Sequence, residues 1–246
     1  MADELELTDI ESEEDIDETA GLAEIARLCE QRADTYGLLS RLYHSEVDQD
    51  LLDRMKTMRF PRTTGNDKLD EGYRLIAKYL SNTWTNSVMD LAREYVRIFI
   101  GHGNDAFAAA YPYESVYTSE KRLMMQAARD EVLAIYRSYG MDKDPSWKEA
   151  EDHIGLECEF MRVLCLRTAD ALRRVNTDAA WNLLDAQRNF LEDHLLSWSG
   201  MMTKDMRKFA KTDLYRGLAS VTDGFFHAEK ELLDEMLSDE ETDGAE

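Results

Sequence analysis

Residues 21–43 read GLAEIARLCEQRADTYGLLSRLY, and the spacing of the apolar side chains in that stretch decides the fold class. Leu22, Ile25, Ala26, Cys29, Ala33, Tyr36, Leu39, Leu42 and Tyr43 recur at intervals of three and four, which places them on one stripe of an α-helix. A half-buried strand would alternate at intervals of two, and no sustained alternation of that kind occurs. Only Pro61, Pro112 and Pro145 interrupt the 246 residues. The chain is therefore expected to be all-α.

Working outward, Leu51–Met58 suits a short second helix, and Arg59–Asn66, with Pro61 and Gly65, a loop. Leu69–Leu80 and Val88–Ile100 predict two more helices, the latter stopping at Gly101 and Gly103, where glycine tolerates the left-handed conformation that ends a helix. After a loop from Gly101 to Tyr117, Thr118 is placed to cap a helix that Gly140 closes. Asp142–Trp147 is a loop, followed by helices over Asp152–Arg174, Asp178–Leu196, Met201–Lys211 and Asp213–Leu237, with Thr177 and Thr212 as caps. No repeat of solenoid length is present.

The formal charge of −22 is unevenly spread. Residues 1–20 hold ten acids and no base, and residues 229–246 nine acids and one lysine, so the body between them is nearly balanced. Segments 1–20 and 238–246 are expected to be disordered acidic tails flanking a helical domain over 21–237. An acidic surface repels phosphates, which argues against nucleic acid and anionic membranes as partners and favours a cationic peptide. No basic, apolar leader and no membrane-length apolar run is found, so a cytoplasmic protein without stable membrane insertion is expected. Cys29, Cys158 and Cys165 lack metal-type spacing and fit buried thiols in a reducing compartment, with Cys158 and Cys165 on one helix face.

Catalytic motifs are scarce. Gly101-His-Gly103-Asn-Asp-Ala106 fits a loose dinucleotide pattern, but no helix start and no βαβ unit follows it, so a glycine-rich helix stop is the better account. None of the five histidines lies three residues after a glutamate, which excludes the Glu-x-x-His pairs of di-iron bundles. No metal, no cofactor and no catalytic group is expected. Asp152 reads first as an N-cap, while the carboxylates of Glu149-Ala-Glu-Asp152-His153 could also accept a guanidinium. Tyr111, Tyr113 and Tyr117 around Pro112 suit either the core or a binding loop, and Met124-Met125 and Met201-Met202 are expected to be packing residues.

Three blocks taken together carry a resemblance. Glu94-Tyr-Val-Arg-Ile-Phe-Ile-Gly101 followed by Tyr111-Pro-Tyr-Glu-Ser-Val-Tyr117, then Glu151-Asp-His153, then Phe190-Leu-Glu-Asp-His194 with Trp198 and Leu214-Tyr-Arg-Gly-Leu218, resemble in order and spacing the TorD/DmsD/NarJ family of redox-enzyme maturation chaperones, nearer TorD/DmsD. His102 and Ala150 stand where many relatives have proline. The resemblance implies a single-domain helical bundle that catalyses no reaction. It implies as partners the leader peptide, often a twin-arginine signal, and the apo-form of a DMSO reductase-like molybdenum oxidoreductase, whose export is delayed until cofactor insertion; the twin-arginine translocase is a further candidate partner. The implied peptide-binding residues are Tyr95, Ile98, Phe99, Pro112, Tyr113, Glu114, Tyr117, Asp152 and His153, with Asp152 and Tyr113 sharing one site at element edges that face solvent. Two other functions compete: a permanently bound assembly subunit of a redox enzyme, and a nucleotide-hydrolysing helical protein, against which the missing P-loop counts.

Overall fold

The spacing of three and four seen in residues 21–43 recurs through most of the chain, and the backbone follows it. The computed structural model describes residues 13–101 and 108–243. In chain order they form α1 (Glu13–His44), α2 (Gln49–Thr57), α3 (Asp67–Ser81), α4 (Ser87–Tyr95), α5 (Glu114–Thr118), α6 (Ala127–Ser138), α7 (Ile154–Arg173), α8 (Thr177–Phe190), α9 (Ser197–Phe209) and α10 (Asp213–Asp243). The all-α expectation holds: among the described residues there is no strand, only an isolated bridge between Tyr113 and His153.

Several boundaries differ from the sequence expectation, each for a local reason. Helix α1 begins at Glu13 rather than Gly21 and α10 runs to Asp243 rather than Leu237, so helix reaches into both acidic segments; the rest of those segments, 1–12 and 244–246, lies outside the described residues. Asp48 caps α2 by accepting the Leu51 N–H at 2.7 Å, and the Asn66 side chain caps α3. Thr118 ends α5 instead of starting a helix: the chain leaves helical geometry, with Arg122 (φ 50°) and Met125 (φ 60°) left-handed, before α6 begins at Ala127. Asn176 rather than Thr177 caps α8, accepting the Ala179 N–H at 3.2 Å. The break expected near Leu196 is absent, because a π turn over Leu191–Leu196 carries α8 directly into α9. A second π turn, Val96–Ile100, extends α4 to Gly101, whose φ of 72° stops it.

The apolar stripe of α1 lies along α7, and α10 along α3. Ala26 and Cys29 meet Ala169 and Leu172, while Leu39, Leu42 and Tyr43 join a larger core with Leu164, Trp198, Tyr215 and Phe226. All three cysteines are buried. Inside this core Arg32 of α1 and Glu229 of α10 form an ion pair with both side chains only 3% exposed. Arg32 Nε donates to both Glu229 oxygens at 3.0 Å. Thr168 and Cys165 of α7 find a buried polar partner in Gln187: Gln187 Nε2 donates to Thr168 Oγ1 at 2.8 Å, and Cys165 Sγ to Gln187 Oε1 at 3.2 Å.

Helices α3 and α10 approach so closely that side chains are excluded at the crossing. A Cβ on Gly217 would sit 2.7 Å from the Gly72 carbonyl oxygen and 2.8 Å from Ile76 Cγ1. A backbone carbonyl cannot swing aside, so Gly217→Ala is expected to cost about 1–3 kcal/mol through overpacking. Gly200, in the exposed face of α9 with nothing within 4 Å of its would-be Cβ, should behave oppositely. Gly200→Ala is expected to stabilise by about 0.5–1 kcal/mol. Thermal denaturation followed by circular dichroism checks both; equal shifts of one sign would mean that the α3–α10 crossing is looser than described.

Candidate functional site

Proline at 112 fixes an extended entry into the segment 112–118, and a turn at 150–153 brings the start of α7 alongside it. The two run antiparallel: the Glu114 N–H donates to the Asp152 carbonyl and the Ile154 N–H to the Pro112 carbonyl, each at 3.0 Å. Asp152 then reaches across, its Oδ2 accepting the Ser115 N–H of α5 at 2.9 Å. The N-cap role expected for Asp152 at its own helix belongs instead to His153, whose Nδ1 accepts the Gly155 N–H at 3.0 Å. With φ −77° and ψ 130°, His153 is the last extended residue before α7, so its side chain is the one that turns back over the helix start.

Six of the nine residues that the motifs single out are thus gathered together: Pro112, Tyr113, Glu114, Tyr117, Asp152 and His153. The Tyr113 ring meets His153 edge-on at 5.1 Å, and Tyr117 stacks on Trp198 at 5.6 Å. The other three turn away into the core. Tyr95 donates to the Tyr43 carbonyl at 2.7 Å, the Ile98 carbonyl accepts the Ala110 N–H, and Phe99 packs edge-on against Tyr43 and Tyr215. Eight of the nine are buried and Tyr117 is half-buried. Asp152 in particular is 0% exposed, so the solvent-facing position expected for it is not where it sits. A carboxylate that satisfies another helix's amide has to be inside with that amide.

Behind this clasp three carboxyl groups are taken out of water together. Glu114 lies 3.0 Å from His194 Nδ1, and Trp198 Nε1 donates to Glu157 Oε2 at 3.3 Å. Burial, with the neighbouring charges of Glu114 and Asp152, pushes the Glu157 carboxyl well above the usual range. Among the described residues Asp152 Oδ1 and Glu157 Oε1 have no hydrogen-bond partner. His194 and Trp198 form a motif four residues apart on one helix face, whereas Glu157, four residues after His153, belongs to none of the motif blocks.

The face that water reaches is built by other residues. Tyr113 donates its hydroxyl to the half-buried Glu149, and burial, with the Glu149 charge second to it, raises the phenols of Tyr113 and Tyr95. His44 stacks on the half-buried Trp147 at 3.6 Å and 10°. The Glu151 carboxylate, by contrast, is occupied by Arg129 and Lys143. His44 and Trp147 are a hundred residues apart in sequence, and no local pattern could have paired them. The methionine expectation holds only for Met202: Met124, Met125 and Met201 are 42%, 59% and 45% exposed. Among the described residues no group of three or more His, Cys, Asp or Glu could hold a metal ion, and no helix is long and apolar enough to cross a membrane.

Comparison with known proteins gives consistent similarities. The family described as nitrate reductase delta subunit matches residues 66–204. Chaperone protein TorD of Vibrio cholerae serotype O1 is 23% identical over 224 residues, covering 89% of this chain and 99% of that protein. Chaperone protein TorD of Photobacterium profundum is 25% identical over 175 residues, 69% of this chain and 78% of that one. A crystal structure from Archaeoglobus fulgidus assigned to a redox enzyme maturation protein is 21% identical, with a TM-score of 0.43 over 82% of this chain and 93% of that one.

His153 makes the clasp sensitive to acid. Burial, and secondarily the nearby His44, lower its pKa from 6.5 to about 3, so it is neutral in the folded protein. The unfolded chain takes up a proton below about pH 6.5 that the folded protein does not, so stability present above that pH is lost as pH falls towards 3. Asparagine keeps a cap acceptor but cannot be protonated. The wild type is expected to lose on the order of 2 kcal/mol more than His153→Asn between about pH 7.5 and about pH 5. Urea denaturation at both values measures this, and parallel losses in the two proteins would mean that His153 is hydrated.

Proposed function

The chain belongs to the nitrate reductase delta subunit family, and from that premise we propose that it is a cytoplasmic, non-catalytic maturation chaperone. Its client is the catalytic subunit of a molybdenum-containing oxidoreductase of the DMSO reductase type. It binds that subunit's leader peptide, a twin-arginine signal, and withholds the client from export until cofactor insertion and folding are complete. The observation that carries this proposal is the meeting of two motif blocks, about forty residues apart in sequence, in one clasp beside a half-exposed rim of Trp147, His44 and Glu149. The chaperone names of the relatives point the same way.

In this proposal the nine motif residues divide their work. Asp152, His153, Pro112 and Glu114 are positioning residues that fix the clasp, while Tyr95, Ile98 and Phe99 fix the helix behind it. Tyr113 orients the Glu149 carboxylate by its hydrogen bond. Glu149 is the acceptor for a leader arginine, and the flat face of Trp147 suits the guanidinium plane. Tyr117 lies on the far side of the clasp, against Trp198. Binding needs no covalent step, and charge contacts at a half-exposed rim allow the release that a proofreading role requires.

Calorimetric titration with a synthetic twin-arginine leader tests the proposal. Glu149→Gln keeps the shape and should weaken binding by about 1.5–3 kcal/mol, roughly ten- to a hundredfold, with the loss shrinking at high salt. Asp152→Asn keeps the acceptor for Ser115 and should change affinity by less than about threefold. No binding by the folded wild type would remove leader recognition; a large loss in Asp152→Asn with none in Glu149→Gln would move the arginine contact to the buried acid.

A further inference from the structure

None of the nine motif residues lines a groove that lies elsewhere in the fold. That groove, about 840 Å³, runs between α1, α2 and α3 and is closed on one side by Glu159 and Arg162 of α7. Its floor is aliphatic: Leu42, Met55, Ile76 and Leu218 are buried there. Its wall is Met58, 39% exposed, with Phe60 and Tyr73, whose rings stand 5.8 Å apart. Phe60, Pro61 and Tyr73 also line an adjoining cavity of about 650 Å³, so the two form one trough.

The charge along this trough runs against that of the chain. Arg54 and Arg59 line the first cavity, Arg62 and Arg74 the second, and all four are exposed. Among the described residues none of the four makes an ion pair or a side-chain hydrogen bond, whereas Arg41 is tied to Asp48 and Arg162 to Glu159, each at 2.7 Å. Of the acids along the trough, Glu159 is paired with Arg162, which leaves three unpaired carboxylates, Asp34, Glu71 and Asp70, the last accepting from Thr64, against the four arginines. Four unengaged guanidinium groups beside an aliphatic floor, in a chain of net charge −22, form a local basic rim. Guanidinium groups pair bidentately with carboxylates, and an apolar trough is filled by the apolar face of a helix.

We propose that this trough is a docking site for an acidic amphipathic helix of a partner protein, its apolar face on Leu42, Met55 and Ile76 and its flanking carboxylates on Arg54, Arg59, Arg62 and Arg74. A twin-arginine leader carries the opposite charge, so the site is separate from the leader rim and its partner is a different segment. The aliphatic length of the floor favours a peptide over a nucleotide.

The test uses the full chain and two labelled synthetic 18-residue helices with leucine at i, i+3, i+4 and i+7, one flanked by glutamates and the other by lysines. General attraction to a protein of charge −22 favours the lysine helix, so preference for the glutamate helix can come only from the local rim. Fluorescence polarisation is expected to show the glutamate helix binding at least about tenfold more tightly. The double variant Arg54→Glu, Arg59→Glu should lose that binding at least about tenfold and gain affinity for the lysine helix, with an unchanged melting curve because both side chains are exposed. Preference for the lysine helix, indifference to the double variant, or displacement of the bound glutamate helix by ATP would overturn the proposal. Loss of leader binding in other variants would not, since neither helix carries a twin-arginine motif.

Discussion

Arg32 and Glu229 are held together in the interior, and much of the architecture is arranged around the need to keep them so. Separating a buried pair leaves a charge without water or counter-charge, at a cost of about 3–5 kcal/mol. The pair therefore fixes the first and last helices, α1 and α10, at one level. Helix α7 lies along α1, and α3 along α10. The orientation of α7 sets where its first turn begins, and the residues just before that turn, Asp152 and His153, are the ones that seize the 112–118 segment. The basic trough has the same origin, since its floor draws on α1, α3 and α10.

The clasp shows how a short polar motif can join segments distant in sequence. Two backbone hydrogen bonds and one carboxylate join segments that have no regular strand of their own. Gathering Glu114, Asp152 and Glu157 behind it is tolerable because burial raises the Glu157 carboxyl, favouring its neutral form, and His194 and Trp198 supply partners. A rim held in this way is pre-organised, so a ligand would not have to order it.

The helices were legible because periodicity reports a local property, and the all-α class followed from it. What periodicity does not contain is continuity through a π turn, so α8 runs on past Leu196 where spacing alone suggests a break, and Thr118 starts no helix because Arg122 and Met125 leave helical geometry. The motif blocks located the clasp, but residue type alone does not say which way a side chain points. Asp152 could be read as a cap or as a ligand group; it is a cap, but for α5, a helix nearly forty residues earlier in the chain. The stacking of His44 on Trp147 and the four unengaged arginines are products of tertiary folding, with no trace in spacing.

The buried cysteines have a chemical consequence. A thiol reacts as its thiolate, and burial pushes Cys29 and Cys158 up and Cys165 to about 12. All three are inert while the fold is intact, so the glutathione poise of the surroundings should leave the protein unchanged. One cysteine engineered onto the surface would then be the sole nucleophile for a maleimide dye, giving a reporter that needs no removal of the native thiols.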